Sequence, residues 1–440
     1  MGPRGAAEQS VADDPSAPVK KPRSVLFRER NFALLWSGES ISLLGSEVSV
    51  IALPSLAVLV FGEGALGVGA LVALQWVPYV LLGPLMGVFT DRLRRKPLMQ
   101  VANVARFVIL GSLPLAAALG HLTVAHLYAA ALLKGVFDVV FQLAYQAYLP
   151  QLLAREDLID GNAKTQLSRS TALVLGRSFG GGLVSWLGAA RAVTADAVSY
   201  LVSSLALAFV RHQEPRPRPA QRGVAATVRD LKGGIALTFG NRLLRSLTLM
   251  ATFGNMAVSL TLAMIIVFAY DDLGFSAGRI GLALGVGAVT TVVGAVLSRR
   301  INERLGMGRT LVLTHALLGL AFVLLPVASA AGKGFAFTVI VVSQAISSFT
   351  TPVANVGIMT MIQKATPPQA MGRVGGVSLP LVWGANAVGP LLGSAVAALA
   401  SVRVTFFFAA VLAWCAVVWI LLGSVQRITD DVPEELRVPA

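Results

Sequence analysis

The sequence predicts an all-α polytopic membrane protein of twelve helices arranged as two six-helix halves, and three observations predict it. Of its 440 residues 55% are hydrophobic and 13% charged, with mean hydropathy +0.73; a soluble chain carries roughly 25% charged residues. Apolar stretches of about 20 residues, the length that crosses a bilayer, recur along almost the whole chain. The 36 Lys and Arg are unevenly placed: 28 of them fall in the two tails and in alternate loops, the bias that orients membrane helices. That bias puts both termini in the cytoplasm and accounts for the net charge of +14 without a nucleic-acid partner.

In chain order, the polar and basic residues 1–30 form a cytosolic tail with no apolar core, unlike a cleaved signal peptide. Spans then follow at about 32–60, 66–90, 97–120, 123–149, 161–187 and 191–210, giving an N-terminal bundle over 31–211. Residues 212–245 hold the longest polar break, a Pro/Arg linker followed by a possible surface helix. Six more spans, at about 246–270, 278–298, 310–331, 335–361, 374–400 and 404–425, make a C-terminal bundle over 246–426, and 427–440 is a cytosolic tail.

Ionisable residues inside spans are concentrated in the first half: Glu39, Glu47, Arg106, Lys134, Asp138, Arg169, Arg177 and Asp196. The second half has only His315 inside a span. The stretch LVLGRSFGGGLV sets Arg177 in a Gly-rich apolar run, where an unreceived charge costs roughly 2.5–3.5 kcal/mol. Glu39 and Glu47 are eight residues apart, as are Arg169 and Arg177. Spans one and five run in the same direction, and eight residues rise about 12 Å. Two rungs are therefore expected, Glu47 with Arg177 and Glu39 with Arg169, beside an i,i+4 pair of Lys134 and Asp138. Structural readings stand beside these: Arg169 snorkelling to the headgroups, rungs that never change protonation, Arg106 and Asp196 as structural charges, His315 as a satisfied core residue.

The halves resemble each other. GVFTDRLRRKP after span two matches GAVLSRRINERLGMGR after span eight, and GRSFGGGLVSWL in span five matches GPLLGSAVAALA in span eleven, as a duplicated six-helix unit requires. Arg177 thus stands where the second half has Pro390.

These residues resemble the major facilitator superfamily. Gly87, Asp91, Arg92, Arg95 and Lys96 match its loop signature, which in that family gates the cytosolic side. Gly176, Gly180 and Gly181 match a fifth-span signature associated with antiporting exporters. The segments 144–168 and 366–393 look most like the bacterial efflux branch that includes macrolide and siderophore exporters. Departures from the branch are specific: it usually has Gln at Glu39, an acid or neutral residue at Arg169 and Pro at Arg177.

The resemblance implies the major facilitator fold and secondary active transport at the bacterial inner membrane. The expected function is proton-coupled export, by antiport, of an amphipathic antibiotic or secondary metabolite, a resistance activity. The substrate is a small molecule, protons and the lipid bilayer are partners, and the protein is a monomer. Glu39, Glu47, Lys134, Asp138, Arg169 and Arg177 are the expected proton and substrate residues; Asn255, Gln344, Asn355, Trp383 and Asn386 are the expected polar points of an otherwise apolar cavity wall. An importer of an organic anion would use the same charges, and a membrane enzyme or sensor on this scaffold is the reading from another class. No nucleotide-binding loop, nucleophile–base pair or metal-ligand set is readable, and the lone Cys415 excludes a disulfide framework. Hence no cofactor, no catalytic residue and no metal are expected.

Overall fold

The computed structural model describes residues 25–154, 157–212, 214, 224–328, 332–429 and 431–438, without the side chains of 27, 83–92, 159, 224–228, 230, 368 and 369. Among the described residues fourteen α-helices run α1 (Val25–Arg28), α2 (Arg30–Phe61), α3 (Ala65–Arg92), α4 (Arg95–Ala118), α5 (Val124–Leu152), α6 (Leu158–Leu187), α7 (Ala189–Ala208), α8 (Val224–Gly240), α9 (Arg242–Val267), α10 (Ala277–Leu305), α11 (Met307–Val327), α12 (Gly332–Ala365), α13 (Pro368–Leu399) and α14 (Val402–Leu422). There is no strand among the described residues. Ten of the helices among the described residues are long and apolar enough to cross a membrane. The two long helices outside that set are α6 and α7, whose sequences carry Lys164, Arg169 and Arg177, and Arg191 and Asp196.

The duplication read in the sequence recurs in the packing. In the first half α2 packs on α6 and α7, α5 on α3 and α4, and α4 on α7; in the second half α9 packs on α13 and α14, α12 on α10 and α11, and α11 on α14. Across the halves α3 meets α13 and α6 meets α10, which are equivalent pairs exchanged by the repeat. Even Arg177 and Pro390 are equivalent in space. A Cβ on Gly281 would lie 2.9 Å from the Arg177 carbonyl, and one on Gly69 2.7 Å from the Pro390 carbonyl.

One face of the protein carries the start of α2 and the end of α7, joined by Asn31 and Arg211, and the start of α9 and end of α14, joined by Arg242 and the Leu422 carbonyl. On this terminal face each bundle has its own apolar cluster, around Phe32, Met99 and Tyr148 in one and Leu247, Met307 and Met361 in the other. On the far face a single cluster joins them, taking Leu53 and Leu56 with Ile265, Phe268 and Ile280. There Ser55 Oγ meets Tyr270 Oη at 2.7 Å, and the Gly278 N–H donates to Ser185 Oγ at 2.7 Å. The protein is closed at the far face.

Glycine makes that closure. A Cβ on Gly181 would run into the Ala277 carbonyl and stand 2.7 Å from Gly281 Cα. Gly181→Val is expected to overpack the seam by about 1–3 kcal/mol, shifting the population some 5–150-fold toward the state open at the far face. In a Cys415→Ser background, alkylation of Ser55→Cys at the seam should speed up accordingly. An unchanged rate contradicts the seam.

Parts of both terminal segments pack on the bundles. Residues 25–30 of the N-terminal tail are not free: the Val25 N–H donates to Asp160 at 3.0 Å and Arg28 pairs with Asp157 at 2.5 Å. The described residues of the C-terminal segment pack as well. Ile428, Val432 and Val438 are buried, and backbone bonds run from Met307 to Thr429 (3.0 Å), Gly308 to Ile428 (2.9 Å) and Val438 to Ala365 (2.7 Å). These few apolar residues form no periodic run; they are buried because the ends of α11 and α12 offer apolar surface to cover. The expected helix in the linker exists as α8, packed on α13.

Candidate functional site

Arg177 is received by Glu47. Gly176 and Gly180 let α6 come against α2: a Cβ on Gly176 would sit 2.6 Å from Glu47 Cβ, and one on Gly180 3.0 Å from Val48 Cα. At that separation Arg177 Nε donates to Glu47 Oε2 at 2.8 Å, with both side chains largely buried. The pair sits beside the inter-bundle seam, because the Arg177 backbone itself abuts Gly281.

The second rung does not form. Among the described residues Arg169 is exposed and makes no ion pair, while Glu39 is buried with no hydrogen-bond partner for its Oε2. Helix geometry explains this. Eight residues turn the side chain about 80° beyond two full turns. On two parallel helices facing each other, that same-handed rotation carries the two side chains to opposite sides of the contact line. At this depth Ser40 and Ser168 fill the contact instead, Oγ to Oγ at 2.7 Å.

The third expected pair is present and larger than the sequence suggested. Lys134 Nζ donates to Asp138 Oδ2 at 2.7 Å, and Arg106 Nη1 donates to Asp138 Oδ1 at 3.0 Å. The Arg106 guanidinium lies 4.2 Å from the ring centroids of both Phe141 and Tyr200 and also donates to Asn103, so charge, π faces and an amide share its compensation. Tyr200 bonds to Ser46 at 2.9 Å, and Ser49 donates to the fully buried Asp196 at 2.5 Å. Four helices, α2, α4, α5 and α7, thus meet on one polar network. Arg106 and Asp196, expected as structural charges, lie in the same network as Asp138, which spacing along single helices does not reveal.

In the second half, Asn255 of α9 and Asn355 of α12 line one cavity of about 50 Å³ together with Thr314, His315 and Thr351. His315, expected as a satisfied core residue, is buried at the edge of this cavity. Its Nδ1 is 3.0 Å from the Leu311 carbonyl, which only accepts, so Nδ1 bears the proton and Nε2 is an acceptor. Gly254 makes room for it, a Cβ there standing 3.0 Å from Nε2. Asn255 donates to the Ala251 carbonyl, leaving its own oxygen free. Trp383 lies elsewhere, edge-on to Tyr79 across the seam at 5.7 Å. Gln344 is buried, and neither it nor Asn386 lines this cavity.

Of the loop signature, the side chains of Gly87, Asp91 and Arg92 lie outside the described residues. Arg95 and Lys96 start α4, and their N–H groups donate to the two oxygens of Glu214 at 2.6 and 2.7 Å. A carboxylate at a helix N-terminus satisfies two otherwise orphaned donors. Lys96 Nζ reaches the Val210 carbonyl at 2.7 Å. The basic half of the signature therefore ties α4 to the end of α7 and to the linker. Among the described residues no group of His, Cys, Asp and Glu fits a metal.

Two homologous helical bundles, closed on each other at one face and separately packed at the other, define a carrier-type membrane protein. The model of the Major Facilitator Superfamily matches residues 35–385, and the chain belongs to that superfamily: it is a multi-pass membrane transporter and not an enzyme. It is 24% identical over 368 residues to an uncharacterized MFS-type transporter, y4rN, of Sinorhizobium fredii, covering 83% of this chain and 87% of that one. It is 24% identical over 313 residues to the enterobactin exporter EntS of Escherichia coli O1:K1, 70% of each chain. Among solved structures it resembles a bacterial homologue of the iron transporter ferroportin in an inward-facing state, with TM-score 0.71, 17% identity and coverage of 90% of this chain and 98% of that one. It also resembles the nucleoside transporter NupG, with TM-score 0.69, 13% identity and coverage of 91% and 100%. At these identities the structural likeness concerns the fold.

Proposed function

We propose that this protein is a proton-coupled exporter of an amphipathic small molecule, working by alternating access as a monomer in a bacterial inner membrane. In this reading α6 and α7 complete twelve spans, both termini are cytoplasmic, and the cargo is an antibiotic or other secondary metabolite exchanged for protons. The observation that carries the reading is Glu39, a buried span carboxylate that makes no ion pair among the described residues. Glu47 and Asp138 each hold at least one. A carboxylate without an ion pair gains and loses its proton without breaking a structural contact. The likeness to the enterobactin exporter supports the outward direction.

Cargo recognition falls to the second half, where His315 Nε2, the Asn255 oxygen and the Asn355 amide stand in an otherwise apolar wall. Such a set receives hydroxyl or amide donors of an otherwise apolar molecule. In proteoliposomes with an imposed pH gradient, the protein is expected to accumulate members of a panel of fluorescent amphipathic dyes. Glu39→Gln should abolish accumulation and leave downhill exchange intact. Accumulation that ignores the gradient, or survives Glu39→Gln, overturns coupling through this carboxylate.

A further inference from the structure

The terminal-face ends of α11 and α14 border a second, open cavity of about 450 Å³, lined by Arg309, Val312, Leu313, Leu421, Gln426 and Arg427 among others. Neither arginine makes an ion pair or a side-chain hydrogen bond among the described residues, and the Gln426 side-chain oxygen is buried without a partner. At the start of α11 the Met307 and Gly308 N–H groups are taken by the Thr429 and Ile428 carbonyls. The charged groups of the cavity lining are its two guanidinium groups.

Below the cavity the surface is apolar. Leu313, Leu320 and Val327 repeat at seven residues along α11, and Leu421, Trp414 and Phe407 repeat at seven along α14; each is between 42% and 49% exposed. The two helices pack together, with Trp414 donating to the Ala316 carbonyl at 3.3 Å. Both belong to the apolar helices able to cross a membrane, so the double stripe faces acyl chains. A basic cavity at the end of an apolar groove is the complement of a molecule with an anionic head and long apolar tails. A dissolved anion uses only the arginines, while a phospholipid uses the arginines and the groove.

We propose that this cavity binds the headgroup of an anionic glycerophospholipid of the phosphatidylglycerol type, with an acyl chain along the groove between α11 and α14. Arg309 and Arg427 donate to its phosphate oxygens, and a headgroup hydroxyl supplies a donor for the Gln426 amide. The site holds the second bundle to the leaflet at its terminal face and is separate from the cavity containing His315.

The test is native mass spectrometry of the full chain in detergent, titrated with phosphatidylglycerol, with phosphatidylcholine of the same chains, and with inorganic phosphate. Phosphatidylglycerol should bind selectively. Arg309→Gln with Arg427→Gln should weaken it about 30-fold, and Arg427→Gln alone about fivefold. Arg309→Lys with Arg427→Lys should stay within a few-fold of native, and Arg304→Gln, on the same face outside the cavity, should change nothing. If the paired Gln variant does not fold, judged by thermal unfolding without lipid, the single variant and the Lys pair decide. Equal binding of phosphatidylcholine, full competition by inorganic phosphate, or native affinity in the Gln variants overturns the proposal.

Discussion

Asp138→Asn is expected to be the most damaging single substitution in the first bundle, costing about 3–5 kcal/mol of stability, the scale for removing one partner of a buried ion pair. It removes the one carboxylate that Arg106 and Lys134 share, and those cations are only 6% and 9% exposed. Phe141 and Tyr200 still face Arg106, but π faces offset roughly 1–2 kcal/mol, less than a full charge needs. Lys134 keeps only the more distant buried Asp196, with which it makes no ion pair. Adding Lys134→Met to Asp138→Asn should recover part of the loss, since one stranded cation disappears and Met fills a similar volume. Thermal unfolding of the purified variants in one detergent measures both steps. An Asp138→Asn protein as stable as the native one, or no recovery in the double variant, contradicts the shared-carboxylate geometry.

Glu47→Gln and Arg177→Gln are expected each to cost about 2–3 kcal/mol, near the insertion cost of one charge in a span and below the fully buried scale because these side chains are 24% and 17% exposed. The effect should reach transport as well as stability. The Arg177 backbone forms the seam with Gly281, so a side chain released from Glu47 loosens α6 where the bundles close. The exchange Glu47→Arg with Arg177→Glu should restore folding at least partly and bring dye transport back above either single variant. A double exchange no better than the singles removes the pair from the mechanism. Glu39→Arg with Arg169→Glu should show no such rescue, since those residues do not meet. That contrast separates a specific pair from a general demand for charge balance in the bundle.

Much of this molecule was legible along the chain. The helices lie within a few residues of the apolar stretches, because the bilayer sets their length and composition before any packing is decided. The Glu47–Arg177 pair was legible from matched spacing in parallel spans. The same argument failed for Glu39 and Arg169, because spacing along a helix sets depth and leaves open which side of the contact line each side chain takes. Arg106 escaped assignment because its carboxylate is on another helix, 32 residues away. His315 escaped because a lone histidine in an apolar run carries no periodic signal. Its place in that cavity depends on Gly254 and on two asparagines brought up from α9 and α12.

The sequence alone determined the class: a helical membrane protein of two related halves, with nearly all span charges in the first. Hydrophobic length, loop charge and internal repetition are local quantities, readable one segment at a time. Tertiary structure decided which charges meet, which face is closed, and that the C-terminal residues are packed against the second bundle. Those outcomes depend on helix rotation and on close approach at Gly176, Gly181 and Gly281, where a single Cβ would hold the backbones apart. An ion pair at 2.8 Å and a miss one helical face away differ by less than a quarter turn, and only packing against neighbouring helices fixes that angle.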